Sequence, residues 1–564
     1  TRELNSSFIT MAITSEQLLE AALKVDMIQR ETLNQLRNEA RRRHLDVLTL
    51  IQAHYRLPKN AFYRAAAEVR NMRFLEMEEL KPDLEALKKL PQALVRRKNF
   101  LPVLATSEDA PLTLVTSEPD DRSGLDTSKR LLNQAVELGL SEPHLISKAI
   151  ERAYQALQQA SIEVESATQQ SVDLIVLLDA IFREAYLRRS SDIHIMQDEQ
   201  GLRVRLRVDG KLQEYIPDTV ASHDVANGLI SRIKVLADLD IAEQREPQDG
   251  GLSYTLDAPI DTEFNVRVAT APTRIGERVT MRILGQDAKD LSLAKIGMTE
   301  RDLTLFQEAI RKPFGMILLT GPTGSGKSTT LFAALREISA PDINILTVEN
   351  PIEYVIEGVS QVQTGAKITF ASALRSFLRH DPDVLMVGEI RDEETADTAL
   401  KASMTGHLVF STLHTNTAAG SITRLADIGC EAFLIGATMN AVIAQRLVRK
   451  LCVHCRTPYE ASDEEKTLLE QPLDQSVTLY QPHGCALCEG TGYRGRMGLF
   501  ETLWFDEGLS KLVSKGCSEE ELEAVALSKS RLRLMWQDGV TKVLEGHTTL
   551  SEIQKVTVKR VINA

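Results

Sequence analysis

The spacing of apolar residues divides the chain into blocks of different period. Between residues 11 and 90, apolar positions recur three and four apart, which predicts short amphipathic helices. Ser15–Ala22 and Gln29–Arg42 are examples, with Thr14 and Ser15 as available N-cap residues. Residues 101–115 read as two short strands around an acidic turn, and helical patterns continue to about Gln159. The polar run Ser161–Gln170 is the best linker candidate. Beyond it a long amphipathic helix, Val172–Leu187, leads into the strand-like SDIHIM. Leu202–Val208 (LRVRLRV) alternates with period two, Asp209-Gly210 turns the chain, and another strand follows, which predicts a hairpin. Helix Val225–Leu236 and strands near Leu252–Leu256, Glu263–Val268 and Arg278–Leu284 complete a mixed α/β block over about 171–285. From Phe314 the pattern changes to continuous apolar runs (MILL, NILTV, DVLMV, HLVFST) between helical segments, as a parallel sheet buried on both faces requires.

Composition adds boundaries to this picture. A chain of 564 residues suggests roughly three to five domains. With 43% hydrophobic and 26% charged residues it has an ordinary globular composition. No apolar run approaches the ~18 residues of a membrane span, and the N-terminus lacks the features of a signal peptide. Thr1–Thr10 are expected to be an addition ahead of a native start at Met11. The net charge of −13 is uneven, because residues 1–100 hold 18 basic and 13 acidic side chains. The acidic remainder argues against wholesale nucleic-acid binding. Arg37, Arg41, Arg42 and Arg43 fall on one helical pattern, either as a solvated face or as a docking surface for an acidic partner or membrane surface.

The candidate chemistry lies in the second half. Gly321-Pro322-Thr323-Gly324-Ser325-Gly326-Lys327-Ser328 matches a phosphate-binding loop, with a buried-strand pattern before it and a helical one after it. There the backbone from Gly321 to Thr329 would cradle the phosphates of ATP at a helix N-terminus. Lys327 would reach the β/γ-phosphates and the Ser328 hydroxyl would ligate Mg²⁺. A second strand, Asp383–Val387, delivers Glu389, which is either the base that orients the attacking water or an acidic cap of the next helix. Glu349 and Glu353 follow the strand ILTV and could position Mg²⁺ or water, or form a plain turn. His414, after the strand HLVF, could sense the γ-phosphate or be structural. Cys452 and Cys455, then Cys485 and Cys488, form two Cys-x-x-Cys pairs suited to tetrahedral Zn²⁺, separated by a gap long enough for an inserted hairpin or helix. Cys430 and Cys517 stand alone and are expected to be buried thiols.

Taken in order, these motifs resemble the hexameric secretion ATPases of type II secretion and type IV pilus assembly. The resemblance runs from about residue 170 to 505. It covers SDIHI, RVDG and PQDG, the P-loop, ENPIEY (349–354), RHDPDVLMVGEIRD (379–392), TGHLVFSTLHTN (405–416) and GCALCEGTGYRGRMGLFE. It implies a multidomain α/β protein: a helical, adaptor-like N-terminal domain (1–160), a linker (161–170) and a mixed α/β second N-domain (171–285). A RecA-like P-loop ATPase core (286–445), a four-cysteine zinc module (446–505) and a helical C-terminus (506–564) would follow. It further implies a homo-hexamer on the cytoplasmic face of the inner membrane, with no span of its own and no nucleic-acid ligand. The partners would be an inner-membrane platform protein and the cytoplasmic domain of a recruiting membrane protein. ATP would sit between lobes of neighbouring subunits, with Arg267 and Arg282 reaching its γ-phosphate end. The long segment before the P-loop and the four cysteines fit assembly or secretion better than pilus retraction.

Three positions depart from the family pattern. Asn350 and Met196 stand where acids are usual, and Gly251 where an arginine is usual. An amide is a weaker Mg²⁺ ligand than a carboxylate, which counts against a metal role at position 350. Residues 11–100 lack the Arg-x-Gly-x-x-Leu element through which some relatives bind cyclic di-GMP, so no response to that nucleotide is expected. Two alternatives remain at this level, a P-loop nucleic-acid translocase with a zinc module and a non-catalytic ATP-binding ring component. The acidic balance and 5% aromatic content oppose the first. Intact Lys327, Ser328 and Glu389 oppose the second.

Overall fold

Period-two alternation and continuous apolar runs build two different sheets. The computed structural model describes residues 13–43, 45–104, 111–132, 135–159, 173–217, 222–285, 292–365 and 367–560. Thr1–Met11, the linker Ser161–Gln170 and most of the acidic turn expected before residue 111 lie outside them. The chain forms two compact units: one runs to Leu284 and takes in Gly484–Gly492, and the other holds the rest.

In the first unit, helices Ser15–Lys24, Arg30–Arg43, Val47–Tyr55 and Lys59–Val69 pack around Leu19, Ile51 and Phe62. Thr14, not Ser15, caps the first helix in a reciprocal pair with Gln17. Part of the arginine stretch is used internally: Arg37 pairs with Glu16, and Arg43 with Glu39 and Asp261. The expectation of a helical domain over 1–160 needs correction. Residues 73–140 hold a four-stranded sheet in the order Arg73–Phe74, Val136–Leu140, Leu112–Thr116, Phe100–Val103. The strand VELGL at Val136–Leu140 is short and shows no clean alternation, so its pattern merged with the helices Arg122–Leu132 and Pro143–Gln159 on either side.

The rest of this unit is an antiparallel six-stranded sheet, ordered Lys211–Tyr215, Gly201–Val208, Asp192–Asp198, Glu277–Leu284, Thr262–Pro272, Gln248–Leu256. Asp209 and Gly210 both adopt positive φ (48° and 85°), as the two-residue hairpin turn demands. Ile193, Ile195, Val204, Leu206, Val279 and Met281 enter one core with the helices Leu174–Leu187 and His223–Leu236. By register, Asp192, His194, Arg205, Arg207, Arg278, Thr280 and Arg282 share the opposite face.

The second unit is built on an eight-stranded sheet in the order Val359–Gln363, Ile345–Glu349, Val384–Val387, Leu408–Leu413, Gly315–Thr320, Met439–Leu451, Tyr493–Trp504, Leu532–Arg533. The first six strands are parallel, and the last two join antiparallel. Every residue of Gly315–Thr320 and Leu408–Leu413 is buried, which explains their unbroken apolar runs. The sheet continues past 445, the end expected for the ATPase core, because Met439–Leu451 and Tyr493–Trp504 are sheet strands rather than parts of a separate module. Between them lies an excursion that carries a small ladder of Thr457–Glu460 with Thr478–Gln481. The C-terminal helices Glu507–Ser514, Glu519–Ser528, Met535–Leu544 and Leu550–Gln554 pack on the same core. Among the described residues, no helix is long and apolar enough to cross a membrane.

Candidate functional site

The parallel strands of the second unit end together, and the candidate residues follow their carboxyl ends. After Thr320 the chain turns through Gly321 (φ 142°) and Gly324 (φ 77°) into Gly326 (φ 89°), which caps the helix Lys327–Ile338 without a side-chain hydrogen bond. Gly321 is required by space as well as by φ. A Cβ there would lie 2.4 Å from the Gln445 carbonyl oxygen and 3.1 Å from Arg446 Nη1. The helix N-terminus therefore stays open for an anion. Ser325 Oγ is buried with no hydrogen-bond partner among the described residues, as expected of a donor that awaits phosphate oxygens. Lys327 is buried, and its Nζ donates to the carbonyls of Gly321 (2.7 Å) and Pro322 (3.2 Å). Burial pushes its ammonium down to about 8, with Glu389 and Glu353 opposing and Arg446 adding to the shift. Ser328 and Thr329 occupy the first turn of the helix, half-buried. This cradle fits a nucleotide phosphate chain.

Glu389 follows the strand Val384–Val387, whose end is held by Thr412 Oγ1 donating to the Gly388 carbonyl (2.7 Å). Its carboxylate accepts from Arg391 and lies 3.3 Å from His414 Nε2. Burial raises the Glu389 pKa, but Arg391 and His414 outweigh it and hold the carboxyl below its usual range. Glu389 is not the cap of the next helix, because Asp392 accepts from Thr395 N in that place. Glu349 is buried at the end of its strand, where Oε1 accepts from Thr347 Oγ1 (2.7 Å) and Gln361 Nε2 (2.9 Å). Burial raises its pKa, only partly opposed by those two donors. Glu353 lies half-buried and close enough to act on the charge of Lys327.

Two groups have no motif to announce them. Gln445 accepts from Thr330 Oγ1 on the P-loop helix (2.9 Å), and its Nε2 approaches Gly326. Arg446 donates to Asn416 Oδ1 (2.9 Å), which joins the P-loop wall to the TLHTN segment. Thr320 Oγ1 and Thr415 exchange further bonds, including Thr415 N to Thr320 Oγ1 at 2.7 Å. Arg267 and Arg282 lie in the first unit, on adjacent strands and directly opposite each other. Arg282 Nε donates to Asp192 (2.9 Å), and Arg267 is 4.0 Å from Asp249. Both arginines are more than half exposed.

The sulfurs of Cys452, Cys455, Cys485 and Cys488 all lie within 4.8 Å of one another. Cys485 Sγ and Cys488 Sγ are 3.8 Å apart, about the edge of a tetrahedron of Zn–S bonds near 2.3 Å. Backbone N–H groups of Cys485 and Gly492 point at Cys488 Sγ (3.1 and 3.2 Å), as thiolate ligands require. The donor set fits zinc. Cys430 is buried, and burial pushes its thiol up to about 11, whereas Cys517 is only half-buried.

Comparisons with known proteins bear on the family and the fold. Residues 167–555 match a family model described as type II/IV secretion system protein, and residues 70–160 match one described as an MshEN domain. The chain is 48% identical over 407 residues to the type II secretion system protein E of Pseudomonas aeruginosa, covering 71% of this chain and 79% of that one. It is 38% identical over 502 residues to the type IV pilus assembly ATPase PilB of Myxococcus xanthus, covering 84% and 87%. The structure of the Legionella pneumophila ATPase DotB superposes with a TM-score of 0.52 at 22% identity, covering 70% of this chain and 98% of that one, which shows a common fold.

Two measurements test the site. Lys327 holds its charge below about 8, so the affinity of the nucleotide-free protein for ATP should fall as pH rises through that value. In Lys327→Arg the guanidinium stays charged, and that fall should vanish from a fluorescent-nucleotide titration. Elemental analysis of reduced protein should find about one zinc per chain, and Cys452→Ser with Cys485→Ser should lose it.

Proposed function

Since this chain belongs to the type II/IV secretion system protein family, we propose that it is a motor ATPase whose hydrolysis of ATP drives type II protein secretion or type IV pilus assembly. The observation that carries the reading is the convergence of Lys327, Glu389 and His414 at the carboxyl ends of adjacent parallel strands. The names of the relatives support this reading over a nucleic-acid translocase.

Phosphoryl transfer asks the protein mainly for position and for charge. Lys327 would exchange its two loop carbonyls for β/γ-phosphate oxygens, and Ser325 and the open helix N-terminus would donate to the same chain. The Ser328 hydroxyl would hold Mg²⁺, which supplies charge neutralisation on the phosphoryl oxygens. Glu389, kept ionised by Arg391 and His414, would accept the proton of the attacking water. Glu349 and Glu353 would order water at the strand ends. Arg267 and Arg282 would complete the site from an adjoining subunit in a homo-hexameric ring, with their forked donors on the γ-phosphate. In this reading the ring docks on the cytoplasmic face of the inner membrane, against a platform protein and the cytoplasmic domain of a recruiting membrane protein, and zinc braces the four-cysteine module.

The test is a pair of single-site series. Glu389→Gln should bind ATP normally but turn over more slowly by about 10²–10⁴-fold. Loss of binding together with turnover would make Glu389 a structural residue. Arg267→Ala or Arg282→Ala should each cut steady-state turnover by about 10³-fold, the low end for an arginine finger, with an unchanged melting temperature. Full activity in both would remove them from the reaction.

A further inference from the structure

The charged face of the six-stranded sheet holds a cluster that the ATPase reading does not use. On three neighbouring strands, register places Met196 opposite Arg203, His194 opposite Arg205 and Thr280, and Asp192 opposite Arg207 and Arg282. The acids at the ends of this row are already taken. Asp192 serves Arg207 and Arg282, while Asp198 and Glu214 serve Arg203. Among the described residues, neither Arg205 nor Arg278 has an ion-pair partner. Arg205 Nη2 finds only the Met196 sulfur, at 3.8 Å, at a position where the family resemblance leads one to expect an acid. The Arg205 Nε is buried without a partner. Arg278 Nη2 spends a hydrogen bond on His194 Nδ1, at 2.9 Å.

That last contact fixes the imidazole. Arg278 can only donate, so Nδ1 accepts and the neutral ring carries its proton on Nε2. His194 is only 6% exposed, and its Nε2 has no partner. A buried N–H without an acceptor costs free energy unless something fills the place. Burial and the guanidinium groups of Arg278 and Arg207 push the ring down to about 4, which keeps it neutral at physiological pH. Burial and the like charges of Arg203 and Arg278 likewise lower the pKa of Arg205. Glu214 stands opposite Arg205 and Asp192 acts on His194, but both acids make their ion pairs with other arginines. Crowded guanidinium groups with orphan N–H donors are what an anion site leaves when the anion is taken away.

We propose that His194, Arg205 and Arg278 form a binding site for a phosphoryl oxyanion, separate from the P-loop. Two forked guanidinium groups match the tetrahedral oxygens, and His194 Nε2 donates to a third. The ligand is either free phosphate or the phosphoryl end of a nucleotide. The assignment stands on the first unit alone and does not depend on the ATPase reading.

The test uses the full chain with its P-loop saturated by ADP and Mg²⁺. Calorimetric titration of inorganic phosphate should show one binding event per chain. Met196→Glu supplies an internal carboxylate to Arg205 and should weaken that event at least about tenfold; Arg278→Gln should act in the same direction. Absence of phosphate binding in the ADP-loaded wild type, or equal binding in Met196→Glu, overturns the proposal. A second arm uses Lys327→Ala protein and a non-hydrolysable ATP analogue. Competition between analogue and phosphate supports the site with a nucleotide as its source, and phosphate binding without competition supports it with free phosphate.

Discussion

Parallel register is the constraint on which the catalytic half of the molecule depends. Strand Gly315–Thr320 runs between Leu408–Leu413 and Met439–Leu451, with Thr320 level with both Leu413 and Ala444. Two strands thus stop at one height while the third runs on to Leu451, and Gly321, His414 and Gln445 are the next residue on each. A slip of one residue would send every side chain to the other face, separating Thr320 from Thr415 and His414 from Glu389. The unbroken apolar runs make such a slip no cheaper on one face than on the other. The hydroxyl exchange between Thr320 and Thr415 and the bond from Thr330 to Gln445 supply the polar pins that hydrophobicity alone cannot.

Much of this was legible in the sequence, for identifiable reasons. A phosphate loop announces itself because glycine, lysine and serine must stand at fixed offsets for the backbone to face an anion, and the Cys-x-x-Cys pairs do so for the same kind of reason. The sheet of the first unit was legible wherever one face meets a core and the other does not, as in LRVRLRV. What stayed hidden was set by neighbours in space. Val136–Leu140 finds its sheet through strands more than twenty residues away in the chain or further. Gln445 and Arg446 sit mid-strand in AVIAQRLVRK with no spacing that marks them, and only the adjacency of two strands brings them to the P-loop. Strand order, which no local spacing reveals, gives Arg282 and Arg267 the neighbours Asp192 and Asp249. Glu277 faces the other way, into a buried pair with Lys234.

The two sheets place charge by opposite means. In the parallel sheet both faces are covered, so polar chemistry is confined to the strand ends. In the antiparallel sheet one face is core, so an entire surface is free for arginines, and carboxylates must be rationed among them. The cost of keeping Arg205 and Arg278 close and unpaired, like that of burying Lys327, is electrostatic work that packing elsewhere offsets.

The way Lys327 closes onto the loop carbonyls has a consequence for selectivity. The loop is not a bare positive hole, since its ammonium already has two acceptors. A visitor must replace both of them and repay the strain of releasing them. Chloride or a single carboxylate would bring too few acceptor sites to do so, whereas a polyphosphate would engage the ammonium, the helix N-terminus and Ser325 together. On this geometry the abundant small anions of a cell would be turned away before any base or sugar is read.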